Sequence, residues 1–266
     1  MIEIDKARGH ILAPLFAGME DTLILSYTQG VMGRGWADSA ERPACAQILV
    51  GAFGFLAGDH LAQEAAALAG HIPPDFTTPW GNVLIIPQNG GWGALIEAAY
   101  PLHEKWIRYA IKKEPGRFDR VRLQSFIDAL PEGYALSPIK PEHYEWMLKQ
   151  EFSCDFCSQF ASAEDYAARG LGYCVLYNGE IVGGASSYTV YNGGIEVEID
   201  VREEHRRKGL AAACGARLIL ECLDRGLYPS WDAANRESVA LAEKLGYQFS
   251  HEYTAYSIEL PGGGAS

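Results

Sequence analysis

The sequence predicts an α/β (α+β) chain in two halves, and three observations carry that reading. Strand-like and helix-like segments alternate along the whole chain. Asn178-Gly179 joins two apolar runs as a two-residue hairpin. Residues 195–201 alternate strictly, with Ile195, Val197, Ile199 and Val201 on one face and Glu196, Glu198 and Asp200 on the other, and then hand over to a helix.

In the first half, Ala13, Leu15, Phe16, Met19, Leu23 and Leu25 keep helical spacing. Met32-Gly33-Arg34-Gly35-Trp36-Ala37-Asp38 reads as turn-rich. An apolar run (47–56) precedes a helix (60–69), and a strand (83–86) ends at Pro87-Gln88-Asn89-Gly90-Gly91, which is turn chemistry. A helix carrying Leu95, Ile96 and Ala99 follows, then a strand through Trp106, Tyr109 and Ile111, then a helix over 119–129. Pro131-Glu132-Gly133 marks the expected boundary, so that 1–130 form an N-terminal α/β domain and 131–266 a second domain. The second half reads as a strand (134–136), helices over 141–150 and 163–169, strands over 173–177, 181–190 and 195–201, a helix, a strand (228–233) and a last helix from Asn235. The tail Pro261-Gly262-Gly263-Gly264 is expected to be flexible.

Composition narrows the function. At 266 residues, 48% of them hydrophobic and 21% charged, the chain can build a real core and is neither disordered nor collagen-like. Its net charge of −12 disfavours nucleic acid and anionic membrane partners and favours a cationic ligand such as an amine. No stretch approaches the roughly 18 to 20 apolar residues of a membrane helix. Met1-Ile2-Glu3-Ile4-Asp5-Lys6 does not open a secretory signal, so a soluble, cytoplasmic protein is expected. The cysteines, Cys45, Cys154, Cys157, Cys174, Cys214 and Cys222, are read as reduced thiols. Cys154 and Cys157 have CxxC spacing but no second pair, so two ordinary thiols are expected and no metal.

The acidity is interrupted once, by Arg206-Arg207-Lys208-Gly209-Leu210-Ala211, where a strand hands over to a helix. Unsatisfied amides and the positive end of the helix dipole converge there, and Gly209 permits close approach to the backbone, which suits a pyrophosphate. Taken alone the turn fits equally a solvated basic face that balances Glu203 and Glu204.

Arg206-x-x-Gly209-x-Ala211 after a strand resembles the acyl-CoA pyrophosphate loop of the GCN5-related N-acetyltransferase superfamily. Asn235, opening a helix that closes with Lys244-Leu245-Gly246-Tyr247, resembles its second cofactor element. Pro229-Ser230-Trp231-Asp232-Ala233-Ala234-Asn235 and the following helix are similar to the two-domain branch typified by the zwittermicin A resistance acetyltransferase.

The resemblance implies a mixed, mostly antiparallel central sheet flanked by helices in the second domain. It implies acetyl-CoA as the cosubstrate, with the pantetheine arm along the main chain of Ile199 and Val201. The pyrophosphate is then expected on the amides of Arg207, Lys208, Gly209, Leu210 and Ala211 with Arg206 adding charge, and Asn235 and Ser238 on the arm. Glu198 first and Glu196 second are the candidate bases for a small amine; the alternative is that they decorate an exposed sheet face.

The position where many relatives carry a tyrosine acid is Ala242 here; Tyr247, Tyr253 and Tyr256 are the substitutes considered. In the first half, read as a wall of the acceptor pocket, Arg34, Trp36, Asp38 and Trp92 lie in glycine-rich turns where aromatic and charged residues often serve binding; the alternative, favoured for both tryptophans, is that they are core or domain-interface residues. Competing functions are a non-catalytic acyl-CoA sensor and a protein N-terminal or lysine acetyltransferase. The sequence leaves the oligomeric state open, a homodimer included.

Overall fold

The computed structural model describes residues 1–260; Pro261-Gly262-Gly263-Gly264 lie outside them. The chain divides into two compact units, Met1–Arg108 together with the residues from Tyr253 on, and Tyr109–Glu252. These bounds differ from 1–130 and 131–266. The helix before Pro131 packs on the long helix of the second unit, and the C-terminal strand returns to the first, a long-range pairing that no local turn signal announces.

The first unit opens with β1 (Ile2–Ile4), two 3-10 turns (Lys6–Ile11 and Ala13–Phe16) and α1 (Thr22–Thr28). Helical spacing over 13–25 therefore becomes short pieces: Pro14 sits in the second turn, and Asp21 starts α1 afresh by accepting from Leu23 N–H. β2 (Arg34–Ala37), β3 (Cys45–Val50) and β4 (Phe53–Gly58) form an antiparallel meander, with β1 antiparallel on the outer edge of β2. Residues 32–38 are thus mainly strand, and the apolar run over 47–56 is two strands around a turn at Gly51, whose φ is 58°. α2 (Ala65–Ala69) is shorter than expected. β5 (Asn82–Pro87) runs parallel to β4 and antiparallel to the end of β13 (Phe249–Glu259), and α3 (Gly90–Ala99) follows, capped by Asn89. Trp36, Leu49, Leu56, Ile85, Trp92 and Tyr256 meet in its core, the place expected for both tryptophans.

β6 (Glu104–Ile111) leads into the second unit, where Asp119 caps α4 (Arg120–Asp128). β7 (Tyr134–Pro138) comes next. The helix expected over 141–150 is a 3-10 turn (Pro141–His143) plus α5 (Tyr144–Met147), followed by another turn at Cys154–Phe156 and by α6 (Ala163–Arg169). β8 (Gly172–Tyr177), β9 (Glu180–Tyr191) and β10 (Gly194–Val201) form a second antiparallel meander, with β7 antiparallel to β8. Asn178 and Gly179 both have positive φ, 51° and 85°, as a tight hairpin turn requires. After α7 (Leu210–Asp224), β11 (Tyr228–Ser230) pairs parallel to β10, and β12 (Asp232–Ala233) pairs antiparallel to Tyr109 and Ala110 of β6. α8 (Arg236–Leu245) is capped by Asn235.

Small residues let α7 lie close to the sheet. A Cβ at Gly215 would stand 2.8 Å from Leu245 Cδ1 and 3.4 Å from Ile199 Cδ1, and Ala212, Ala213 and Ala216 are buried beside it.

The two units repeat one element order: an edge strand, short helical pieces, a three-stranded antiparallel meander, a helix, a strand parallel to the last of the meander, and an asparagine-capped helix. Among the described residues, no helix is long and apolar enough to cross a membrane.

Candidate functional site

The second unit's sheet opens where β10 and β11 part. Three rows pair them, Gly194 with Tyr228, Ile195 with Pro229 and Glu196 with Ser230. The β9 register shifts at the same place, between Glu196 and Val197. Beyond it Trp231 takes the chain over to β12, so Val197–Val201 has β9 on one side and no β11 partner on the other.

Main-chain directions follow from one bond. Arg202 N–H donates to Val182 O of β9 at 2.9 Å, so with a period of two the groups of Glu198 and Asp200 also face β9, whereas those of Val197, Ile199 and Val201 face away. At Val201 both outward groups are occupied: its N–H donates to Asp200 Oδ1 (2.7 Å) and its C=O accepts from Arg206 Nε (2.8 Å). Val197 and Ile199 thus carry the outward groups suited to an added strand. Val201, expected to share that task, is held by its neighbours.

At the end of β10 the chain turns into α7. Arg207 and Gly209 both have positive φ, 60° and 83°, and Gly209 is the first residue outside the helix, with no side chain capping it. α1, α3, α4, α6 and α8 are each capped by an Asp, Asn or Ser side chain. The longest helix therefore begins with its first amides unclaimed by a side chain, in a left-handed turn of the kind that gathers N–H groups on an anion. Apart from its own chain neighbours, no atom lies within 4 Å of a Cβ built on Gly209, so the approach is open.

The cations of the turn are partly committed. Arg206 also pairs with Asp200 (3.1 Å), which offsets the charge assigned to it. Lys208 Nζ donates to Glu204 O (3.0 Å) and to the Tyr134 hydroxyl (3.2 Å), which shares a 2.8 Å hydrogen bond with His205 Nδ1. Arg207 is exposed and has no ion-pair partner among the described residues. Leu210 is buried and Ala211 half-buried, so what they present at this turn is main chain.

Asn235 Oδ1 accepts from Ser238 N–H (2.8 Å), and Ser238 Oγ accepts from Trp231 Nε1 (3.1 Å), so both stand at the start of α8 with structural bonds of their own. Glu196 is buried, Glu198 and Asp200 are half-buried, and all three lie on the face opposite Ile199. Of the candidate acids, Tyr247 is buried. Its hydroxyl donates to Pro229 O (2.7 Å), and burial pushes its pKa well up. Tyr256 belongs to the first unit, where it donates to Glu97.

Cys154 and Cys157 are buried thiols pushed up to about 12, foremost by burial. Among the described residues no group of three or more His, Cys, Asp or Glu is placed to hold a metal ion. In the first unit Arg34 pairs with Glu3 and Asp75, and Asp38 accepts from Ala44 and Cys45 N–H, so these residues brace strands.

Nothing in the sequence marks Thr189, and Ser230 stands out there only as part of the 229–235 stretch. They flank Glu196 in its own row on β9 and β11, a relation that needs strand register to be seen.

The GNAT acetyltransferase family model matches residues 13–256. The uncharacterized N-acetyltransferase YdfB of Bacillus subtilis (strain 168) is 37% identical over 97 residues, 36% of this chain and 37% of that protein, so the match spans little more than a third of the relative's length. A GCN5-related N-acetyltransferase-like protein from Streptococcus suis 89/1591 is similar at 39% identity and a TM-score of 0.84, over 95% of this chain and 98% of that one. A tandem GNAT protein from the clavulanic acid biosynthesis pathway shares the fold at 16% identity and a TM-score of 0.52, over 88% and 84%.

Proposed function

The chain belongs to the GNAT acetyltransferase family, and from that premise we propose that it moves an acetyl group from acetyl-CoA to the primary amine of a small cationic molecule by direct attack. One observation carries the reading: β10 parts from β11 beside a helix N-terminus that no side chain caps.

The residues present fit acetyl-CoA. The amides of 207–211, with Arg206 and Arg207, would hold the pyrophosphate, the outward main-chain groups of Val197 and Ile199 the pantetheine arm, and Asn235 its far side. Bound there, it supplies an activated acyl group and a thiol leaving group.

An alkylammonium has a pKa near 10, so it must lose a proton before it can attack. Glu198 is suited to accept it, because its side chain shares a face with Glu196 and is open enough to pass the proton to solvent. Once that first proton has passed to solvent, the neutral nitrogen bonds to the carbonyl carbon, the C–S bond breaks, the nitrogen's second proton goes to the same carboxylate and the sulfur leaves as thiolate. A thiolate whose conjugate acid has a pKa near 8.5 leaves without a dedicated acid, which is consistent with Ala242 and with a Tyr247 committed to Pro229. The net charge of −12 would draw a cationic acceptor.

The test is thiol release from acetyl-CoA across a panel of small amines, peptides and lysine-bearing proteins. Release that depends on a small cationic amine supports the reading. Binding of acetyl-CoA without release from any acceptor would make the protein an acyl-CoA sensor, and release only with peptides or proteins would move the acceptor to that class.

A further inference from the structure

The row in which β10 last touches β11 is polar on three adjacent strands. Glu196 is paired with Thr189 on β9 and with Ser230 on β11. Residues opposite one another in a sheet project to the same face, with Cβ atoms about 5 Å apart. Thr189 and Ser230 are 0% exposed and Glu196 is 5% exposed. Thr189 Oγ1 and Ser230 Oγ have no hydrogen-bond partner among the described residues. Buried hydroxyls are nearly always bonded, so two lone ones beside one carboxylate ask for a ligand.

We infer that Thr189, Glu196 and Ser230 form the seat of the acceptor's ammonium group and select primary amines. The deduction rests on the acetyltransferase reading above and adds the part of the acceptor that is recognised. Each hydroxyl and the carboxylate can accept, so the row offers a separate acceptor group to each of the three N–H bonds of a primary ammonium. An N-methylated amine has one N–H fewer and strands a buried hydroxyl. Sites built to hydrogen-bond a group discriminate strongly against analogues that lack it. The seat stands one row before the outward groups of Val197 and Ile199, so a nitrogen held there is next to the groove in which the thioester is expected.

The surroundings suit a cation held by one carboxylate. Tyr191, Tyr228 and Tyr247 lie within electrostatic reach of Glu196, and burial foremost keeps all three hydroxyls protonated. Glu196 is the carboxylate of the seat, and one N–H must leave the seat to deliver its proton to Glu198, two residues on and more exposed.

The experiment compares the full-length protein with Thr189→Val and Ser230→Ala, which remove the hydroxyls with little change of shape, and with Glu196→Gln. Binding of n-butylamine and of N-methylbutylamine to the CoA-loaded protein is followed by ligand-observed NMR, and thiol release is measured in parallel. The wild type is expected to prefer the primary amine by about tenfold or more. Each hydroxyl variant is expected to weaken butylamine about tenfold, to narrow the preference, and to leave CoA affinity and Tm nearly unchanged. Unchanged butylamine binding and preference in both variants would overturn the inference, as would a wild type that binds neither amine or binds both equally. Because binding is read apart from turnover, a protein that seats butylamine with the stated preference but never releases thiol would retain the seat and refute the acetyltransferase reading instead.

Discussion

Trp92 and Ser238 are counterparts in the repeated topology: each is the third residue after the asparagine that caps the helix following the parallel strand. Asn89 and Asn235 even share their backbone angles, φ −155° and ψ 173° against φ −156° and ψ 175°. The two residues do opposite things. Trp92 is fully buried, and its Nε1 donates to Gly58 O at the end of β4 (3.0 Å). Gln88 takes the neighbouring edge groups, its main-chain N–H donating to Leu56 O and its Oε1 accepting from Gly58 N–H. The turn after β4 carries Asp59 and Glu64 where the turn after β10 carries Arg206 and Gly209.

The first unit thus uses for itself the groups that the second leaves open, and one equivalent of CoA per chain is expected in calorimetry. Ser238→Trp should place an indole in the second unit as Trp92 is placed in the first, and lower CoA affinity about a hundredfold or more in a protein that still folds. Two equivalents in the wild type, or undiminished binding in Ser238→Trp, would contradict the comparison.

Arg206→Ala should weaken CoA about tenfold to a hundredfold, the effect of losing one charge-assisted bond to phosphate. Its Nε bond to Val201 O and its pair with Asp200 are exposed enough that Tm should hardly move. Arg206→Lys is expected to recover only part of the affinity, because an ammonium cannot hold Val201 O and a second oxygen in one plane. A large fall in Tm with unchanged affinity would make Arg206 a brace for the strand end and not a ligand.

The second unit was largely legible in sequence because its signals are local. Asn178-Gly179, the strict alternation of residues 195–201, and Asn235 at the start of a helix each speak through a few adjacent residues. Other features depend on partners far away in the chain. The parting of β10 from β11 is fixed by β12 pairing with Tyr109 and Ala110, over a hundred residues earlier, and the Thr189–Glu196–Ser230 row exists only across three strands. The repeat was hidden for the same reason: its two copies share strand order, while the turns that could be compared are acidic in one and basic in the other.

Tyr247→Phe separates a scaffold role from an acid role. The hydroxyl is buried and donates to Pro229 O, one residue before Ser230. Removing it leaves a buried carbonyl short of a donor, and a loss of about 1 to 3 kcal/mol in stability is expected, with kcat changed by less than about threefold. A drop in kcat of about a hundredfold at unchanged stability would instead identify Tyr247 as the proton donor to the leaving sulfur.

The cysteines set an alkaline limit on stability. All six are buried free thiols; burial foremost pushes Cys45, Cys154, Cys157 and Cys222 up to about 12 and Cys174 to about 11, and Cys214 is also raised. A thiol in the unfolded chain ionises near 9. Above that pH the unfolded state has lost protons that the folded state still holds, so each added pH unit favours unfolding. The contribution is fully present below about 9 and is lost as pH rises toward 11 to 12. Tm should therefore decline from about pH 9 upward. At pH 8 a disulfide-exchange reagent should label the native protein slowly, and all six thiols should react promptly once denaturant is added. Prompt labelling of Cys154 or Cys157 in the native protein would show that the CxxC turn opens readily and that burial does not hold its thiols protonated.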